Sequence, residues 1–498
     1  MNPGAVLPGF FLCRGFALIL WNNFCSTLIC QFFKLIYQEM KRVKNHIITA
    51  IILLLLVTAC RKKDVPPDDT NKIPADIIAT NEWIFETMSL YYYWNNLIPV
   101  NIDLTLESDP EVYFTKLIYK DKDKWSYITD DYASLSAELS GDPVTMGYHP
   151  AFYLAGQDNV IIVVCYVYPG SPAEEAGLKR GDIILSINNT LLDRTNYYTL
   201  FSGTNYSVQL GAVVNNALTF TDKSLNLVAR VTETNPAIHH EVLDIDGVKI
   251  GYLAYVEFLS GKNNMFLPVL DNIFNEFKNE GISELIVDLR YNPGGDIGAV
   301  LHLASEIAPF NITLNRETLV QLKYNYELQR YLEFNNYSDY LYYKLKTVSS
   351  NINMNRVYVL TTSRSASASE LLIIGLKPYM DVVQIGEPTY GKYAGSWVIP
   401  DDTEKWAMMP IVMKFANIQG FTDFENGLIP DHEIDDDPVG AVPFGDITDP
   451  MVAKAIELAT GVTTSPKKSR ATEVIRLEQI FPPEMSIKKS LIMNTPGF

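Results

Sequence analysis

The chain is poor in cysteine. Five occur in 498 residues, and Cys13, Cys25, Cys30 and Cys60 all fall within the first 60. Cys165 is then alone in the remainder, so no intramolecular disulfide can brace the folded part. It sits in the apolar run "NVIIVVCYVYPG" and reads as a small buried hydrophobe rather than a nucleophile. Positive charge is also scarce. Forty Lys and Arg against 58 Asp and Glu give a formal net charge of -18, which argues against a nucleic-acid partner, because phosphate binding needs a basic face. The six histidines, His46, His149, His239, His240, His302 and His432, show no HExxH-like spacing, so no metal and no organic cofactor are expected. What the chain does have is 47% hydrophobic residues, enough for the cores of two or three domains.

The amino end carries a targeting pattern that starts at Met40. "MKRVKNHIITAIILLLLVTAC" sets Lys41, Arg42 and Lys44 before an apolar run and small residues before Cys60, the layout of a secretory signal. The run from His46 to Ala59 is shorter than the roughly 20 residues that span a bilayer. "VTAC" resembles a bacterial lipobox, which implies cleavage before Cys60 and lipid on its thiol. A transmembrane anchor is the alternative. The lipoprotein reading expects a mis-assigned leader at 1–39, a signal peptide at 40–60 and a charged linker at 61–74. It places the protein on the bacterial cell envelope, at the outer membrane, with the periplasmic and surface faces both open.

Residues 75–135 form a small helical region. Ile77, Trp83, Ile84, Met88 and Tyr91 recur at helical spacing, with Thr80 or Asn81 as an interruption or cap, and "DPEVYFTKLIY" follows at 109–119. From 140 to 232 the pattern turns to short β runs. Within it "VYPGSPAEEAGLKRGDIILSINNTLL" resembles a PDZ domain of the bacterial protease type. That resemblance implies a peptide terminus added as a strand beside a carboxylate-binding loop, expected near Gly147, Tyr148 and His149. A spacer role is the alternative.

Residues 233–462 alternate strands and helices, an α/β order. Strands are expected at 249–258, 284–290, 356–362 and 382–386. Helices are expected at 297–308, at 368–379 and around Phe266, Leu270, Ile273, Phe274 and Phe277. The tyrosine-rich segment 311–352 is read as a lid, a partner surface or a helical hairpin. The tail from 463 is read as an irregular appendage.

"TTSRSASASELL", at 361–372, packs four serines between a strand and a helix. Acyl transfer by serine needs an exposed hydroxyl at a turn, a base and N–H donors for an oxyanion. A helix start supplies such donors. No histidine marks itself as the base, but a lysine held neutral by burial can serve. Lys392 in "EPTYGKYAG" follows a buried strand.

"VDLRYNPGG", "TTSRSASASELL" and "GEPTYGK", in that order after the PDZ-like stretch, resemble the carboxyl-terminal processing, or tail-specific, proteases. The resemblance covers roughly 75–460. It implies a ClpP/crotonase-like α/β core with an inserted, mainly-β PDZ-like domain, and a polypeptide substrate. It also implies Ser367 as nucleophile, Lys392 as base 25 positions on, and oxyanion donors at Ala368 and at Gly294 or Gly295. Ser365 and Ser369 become packing or capping residues, and Glu370 a first-turn acid that complements the helix dipole. Where the family often carries a lysine-orienting glutamine, this chain has Ser396. A catalytically silent envelope lipoprotein that binds peptides or glycans is the competing expectation.

Overall fold

The stretches "KIGYLAY" and "ELIVD" are apolar throughout rather than alternating, the mark of strands covered on both faces. Both lie inside a six-stranded sheet of order Ala237–Ile245, Val248–Tyr255, Glu284–Asp288, Arg356–Thr361, Asp381–Gly386 and His432–Glu433. The first pair is antiparallel and every other neighbour is parallel. One face is covered by the helices Leu267–Glu280, Ile297–Ile307 and Ala368–Leu376, whose apolar residues share the largest core. The other face takes Pro450–Thr460 through Met451, Val452, Ala455 and Ile456.

These features come from a computed structural model that describes residues 73–215, 217–422, 424–464, 477–480 and 491–494, all within the unit that begins at Ile73. The leader, the signal-like segment and Cys60 lie outside the described residues. Among the described residues no helix is long and apolar enough to cross a membrane.

A second sheet runs Tyr127–Thr129, Ala407–Met409, Ala394–Pro400, Ile411–Ala416, Thr318–Tyr324 and Tyr342–Lys344, with Leu491–Asn494 added parallel to Ala394–Pro400. The tyrosine-rich insertion is therefore not a helical hairpin, one of the three readings of it. It gives the sheet two strands with the helix Tyr326–Phe334 between them, because Leu319, Val320, Leu322 and Tyr324 carry enough apolar surface to be drawn into the main core. The tail also departs from an irregular appendage, since Leu477–Ile480 and Leu491–Asn494 are both strands.

The helical region holds Ala75–Tyr91, Pro110–Leu117 and Tyr132–Ser140. Asn81 neither interrupts nor caps the first of these. It is buried mid-helix, and its amide donates to the Leu104 and Glu107 carbonyls at 3.0 and 2.9 Å. The PDZ-like part has its own core and a sheet of order Leu477–Ile480, Tyr148–Ala155, Asn159–Val167, Ile183–Ile187, Asn205–Val214 and Ala217–Val228.

Just beyond Glu284–Asp288, Arg290 is 2% exposed among three carboxylates. It donates to Asp288 through Nε at 3.0 Å and Nη2 at 2.6 Å, to Asp449 at 2.8 Å and to Asp436 at 3.3 Å. This ties the sheet to the 431–449 segment. Removing one partner of a buried ion pair strands the others without compensation. Arg290→Leu is expected to lower stability by about 3–5 kcal/mol in urea unfolding.

Candidate active site

Adjacent parallel strands end side by side, and their three following loops meet. Glu284–Asp288 leads to Asn292–Gly295, Arg356–Thr361 leads to Ser367, and Asp381–Gly386 leads to Lys392. The carboxyl edge of a parallel sheet is where such folds hold ligands.

The crowded serines separate by hydrogen bonding. The Ser365 hydroxyl donates to the Leu289 carbonyl at 2.7 Å and accepts the Thr362 N–H at 2.9 Å. The Ser369 hydroxyl donates to the Asn292 carbonyl at 2.9 Å, which also accepts the Ala366 N–H at 3.1 Å. Both serines therefore stitch the 362–369 turn to the glycine turn. Ser363 is exposed. Ser367 is buried like Ser365 and Ser369, but it differs from all three in that its hydroxyl has no hydrogen-bond partner and its backbone is left-handed at φ 56°, ψ -104°. A non-glycine residue held there is strained.

Two glycines leave room for that turn. A Cβ at Gly294, φ 110°, would stand 2.8 Å from Ser367 Cβ and 3.1 Å from the Ala368 nitrogen. A Cβ at Gly295, φ 136°, would stand 2.0 Å from the Phe258 carbonyl oxygen. Their N–H groups are not equivalent. Gly294 donates to Asn292 Oδ1 at 2.9 Å, whereas neither the Gly295 nor the Ala368 N–H has an acceptor among the described residues.

Glu370 joins the loops. It is fully buried on the first turn of Ala368–Leu376. Its Oε2 accepts the Ser367 N–H at 2.6 Å and the Lys392 N–H at 2.9 Å. Its Oε1 accepts the Thr389 hydroxyl and the Gly391 N–H, each at 2.6 Å. Burial pushes this carboxyl up to about 7, against the pull of the four donors. Beyond standing in the first turn of the helix, it therefore clamps two loops.

Lys392 is 2% exposed, with its amine 5.7 Å from the centroid of the Trp125 ring. Burial brings it down to about 7, while Asp123 and Glu370 work in the opposite direction. Asp123 is itself fixed by the Tyr92 hydroxyl at 2.8 Å and by the Trp125 and Ser126 N–H groups, each at 2.9 Å. Ser396 is buried in Ala394–Pro400, opposite Ile411 at a break in register.

The expected peptide loop lies apart from this group. Gly147 donates its N–H to the Thr145 hydroxyl at 3.0 Å. Tyr148 and His149 pair with Val167 and Tyr166 in the ladder, and the His149 ring stacks on Tyr166 at 5.0 Å.

Sequence reasoning missed Glu370 as a clamp, although its place three residues after Ser367 has capping-box register. It also missed Trp125, Asp123 and Asn292. Nothing in the local pattern around Trp125 or Asp123 points to Lys392.

A buried amine favours folding least where the unfolded chain would protonate it. The penalty is full below about 7 and falls as pH rises toward the ordinary value of 10.5. Lys392→Met is therefore expected to stabilise the chain by roughly 1–4 kcal/mol at pH 7 and below, with the gain shrinking by pH 10 in denaturant titrations.

Three parts of the chain have counterparts among known proteins. Peptidase family S41 matches residues 249–434, the peptidase S41 N-terminal domain matches 79–127, and a PDZ domain matches 163–203. The chain is 26% identical over 333 residues to the carboxyl-terminal-processing protease of Picosynechococcus sp., covering 66% of this chain and 72% of that protein. It is 26% identical over 290 residues to the carboxy-terminal processing protease CtpB of Bacillus subtilis, covering 57% of this chain and 52% of that one. A crystal structure from Bacteroides fragilis NCTC 9343, named provisionally as an S41 protease, superposes with a TM-score of 0.65 at 26% identity, over 81% of this chain and all of that one. Residues 249–434 are thus similar to peptidase family S41 and residues 163–203 to a PDZ domain, and the relatives of this chain include carboxyl-terminal-processing proteases.

Proposed function

We propose that the protein is an envelope endopeptidase, lipid-anchored through Cys60, that cleaves polypeptides with Ser367 and Lys392. The observation that carries this reading is the contrast between Ser367 and its neighbours. Ser365 and Ser369 are consumed by backbone hydrogen bonds. Ser367 keeps an uncommitted hydroxyl in a strained turn tied to Lys392 by one carboxylate oxygen.

The chemistry follows from those groups. The Ser367 oxygen attacks the scissile carbonyl carbon as the uncharged Lys392 amine takes the hydroxyl proton. Negative charge develops on the carbonyl oxygen, and the Ala368 and Gly295 N–H groups are the donors left to receive it. The C–N bond breaks, the departing amine takes the proton from Lys392, and an acyl-serine ester remains. Water, deprotonated by Lys392, attacks the ester and restores Ser367. Ser396 lies four positions beyond the amine and is assigned to orient it.

In this reading the PDZ domain receives the substrate terminus, which must compete with part of the chain itself. Leu477–Ile480 pairs antiparallel with the strand Tyr148–Ala155, with Leu477 opposite Ala155 and Ile480 opposite Phe152. It thus runs toward the turn at Gly147, and Ile480 packs on the PDZ core. This is strand addition with the ligand supplied in cis. With its oxygen facing the guanidinium, the Gln479 amide accepts from Arg364 Nη2 at 2.6 Å and Nε at 3.2 Å. Arg364 stands three residues before Ser367 and also donates to Cys165 Sγ at 2.9 Å. Displacing the tail would therefore release a contact to the nucleophile turn.

Two outcomes are expected. Incubated with unfolded polypeptide, the chain from residue 61 onward cleaves, whereas Ser367→Ala and Lys392→Ala do not. Its kcat/KM climbs about tenfold per pH unit below about 7 and levels off above it. Equal cleavage by all three, or none by any, removes the enzyme reading in favour of a binding protein. Separately, Ile480→Asp is expected to bind a labelled peptide copying residues 474–482 about tenfold more tightly than wild type in fluorescence anisotropy, as the cis competitor is lost. Unchanged binding would contradict competition.

A further inference from the structure

A second group of chemically capable side chains lies outside the candidate active site. Asp271 is on the helix Leu267–Glu280, His302 and Glu306 stand one turn apart on Ile297–Ile307, and Ser350 comes from the loop before Arg356–Thr361. The ligating atoms of Asp271, His302 and Glu306 all lie within 4.8 Å of one another. His302 Nε2 is 2.9 Å from Asp271 Oδ1 and 3.4 Å from Glu306 Oε1. Ser350 Oγ is 2.6 Å from Glu306 Oε1 and 3.3 Å from Asp271 Oδ1. A tetrahedral centre with bonds of about 2.0–2.2 Å has ligand–ligand edges of about 3.3–3.6 Å. The side chains are thus already near the required separation.

A network built only for hydrogen bonding should leave no buried oxygen unused, yet this one does. Glu306 is 0% exposed and its second oxygen, Oε2, has no partner. The nearby cations are engaged elsewhere or stand off. Lys278 donates to the Ser349 carbonyl at 2.8 Å, and among the described residues neither it nor Lys346 forms an ion pair with the three. The Asp271 side chain is 40% exposed and that of His302 15%, which leaves a path for entry.

We infer that Asp271, His302 and Glu306 form a binding site for a divalent transition metal of the zinc or manganese class, with Ser350 Oγ or water completing the shell. One nitrogen and two carboxylate donors suit those ions. The site lies toward the carboxyl end of the helix whose amino end follows Gly295. It would pin two helices and a loop behind the oxyanion turn, and it takes no part in peptide cleavage. The absence of HExxH spacing gave no hint of it, because the third ligand comes from a different helix.

Full-length protein stripped with chelator is titrated calorimetrically with zinc chloride and manganese chloride, and bound metal is counted by mass spectrometry. Wild type is expected to bind one equivalent that His302→Ala and Glu306→Gln weaken by about a hundredfold, and Ser350→Ala by about tenfold. Metal should raise the unfolding temperature of wild type and leave Glu306→Gln unchanged. Glu306→Gln keeps the side-chain shape, so its circular dichroism should match wild type. No uptake by wild type, or the same uptake and thermal shift in wild type and every variant, would overturn the site.

Discussion

One carboxylate holds the candidate active site together. Glu370 receives four donors from three separate places: the Ser367 turn, the Thr389 side chain and the Gly391–Lys392 backbone. Other bonds also join these loops, the Tyr390 N–H to the Ser365 carbonyl at 3.0 Å among them, but Glu370 ties the Ser367 backbone directly to that of Lys392. The charge is tolerable only because every lone pair points at a donor, and it remains uncomfortable. Burial moves both this carboxyl and the Lys392 amine to about 7 from opposite sides. A buried acid and a buried base therefore share one narrow pH range, and Glu370 favours the charged form of the amine.

The rest of the architecture supplies the dryness that this arrangement needs. The second sheet and the helical region share one core with the first sheet. Trp125 covers the amine, and Asp123 stands near it with its own oxygens tied down by Tyr92, Trp125 and Ser126. Behind the turns, the Arg290 cluster fixes where the sheet edge begins, since the Thr362 hydroxyl donates to the Arg290 carbonyl. Packing, ion pairing and turn geometry thus converge on one side chain left with no hydrogen bond.

The sequence was most informative where chemistry and spacing coincide. Strands around 284–288, 356–361 and 381–386 were legible because continuous apolar runs end at Gly or Ser clusters, and Ser367 and Lys392 because each follows such a strand. Boundaries shifted by a few residues where a helix passes into a hydrogen-bonded turn, as at 377–379. The insertion was illegible for a different reason: its tyrosines serve both as sheet surface and as helix surface, so no single period dominates 318–344. The tail strands could not be read because each is four residues long and finds its partner more than 90 positions away. Glu370 looked like an ordinary first-turn acid, since its acceptor role depends on a loop that begins 19 residues later.

The decisive measurement is the titration of the Lys392 amine itself. Dimethylation with carbon-13 formaldehyde in Ser367→Ala protein, followed by NMR across pH 5–11 with Lys392→Met to assign the signal, reports it directly. A midpoint near 7 is what burial beside Glu370 requires. A midpoint near the ordinary lysine value of 10.5 would leave the amine charged at neutral pH, so that the proposed reaction has no base for the Ser367 proton.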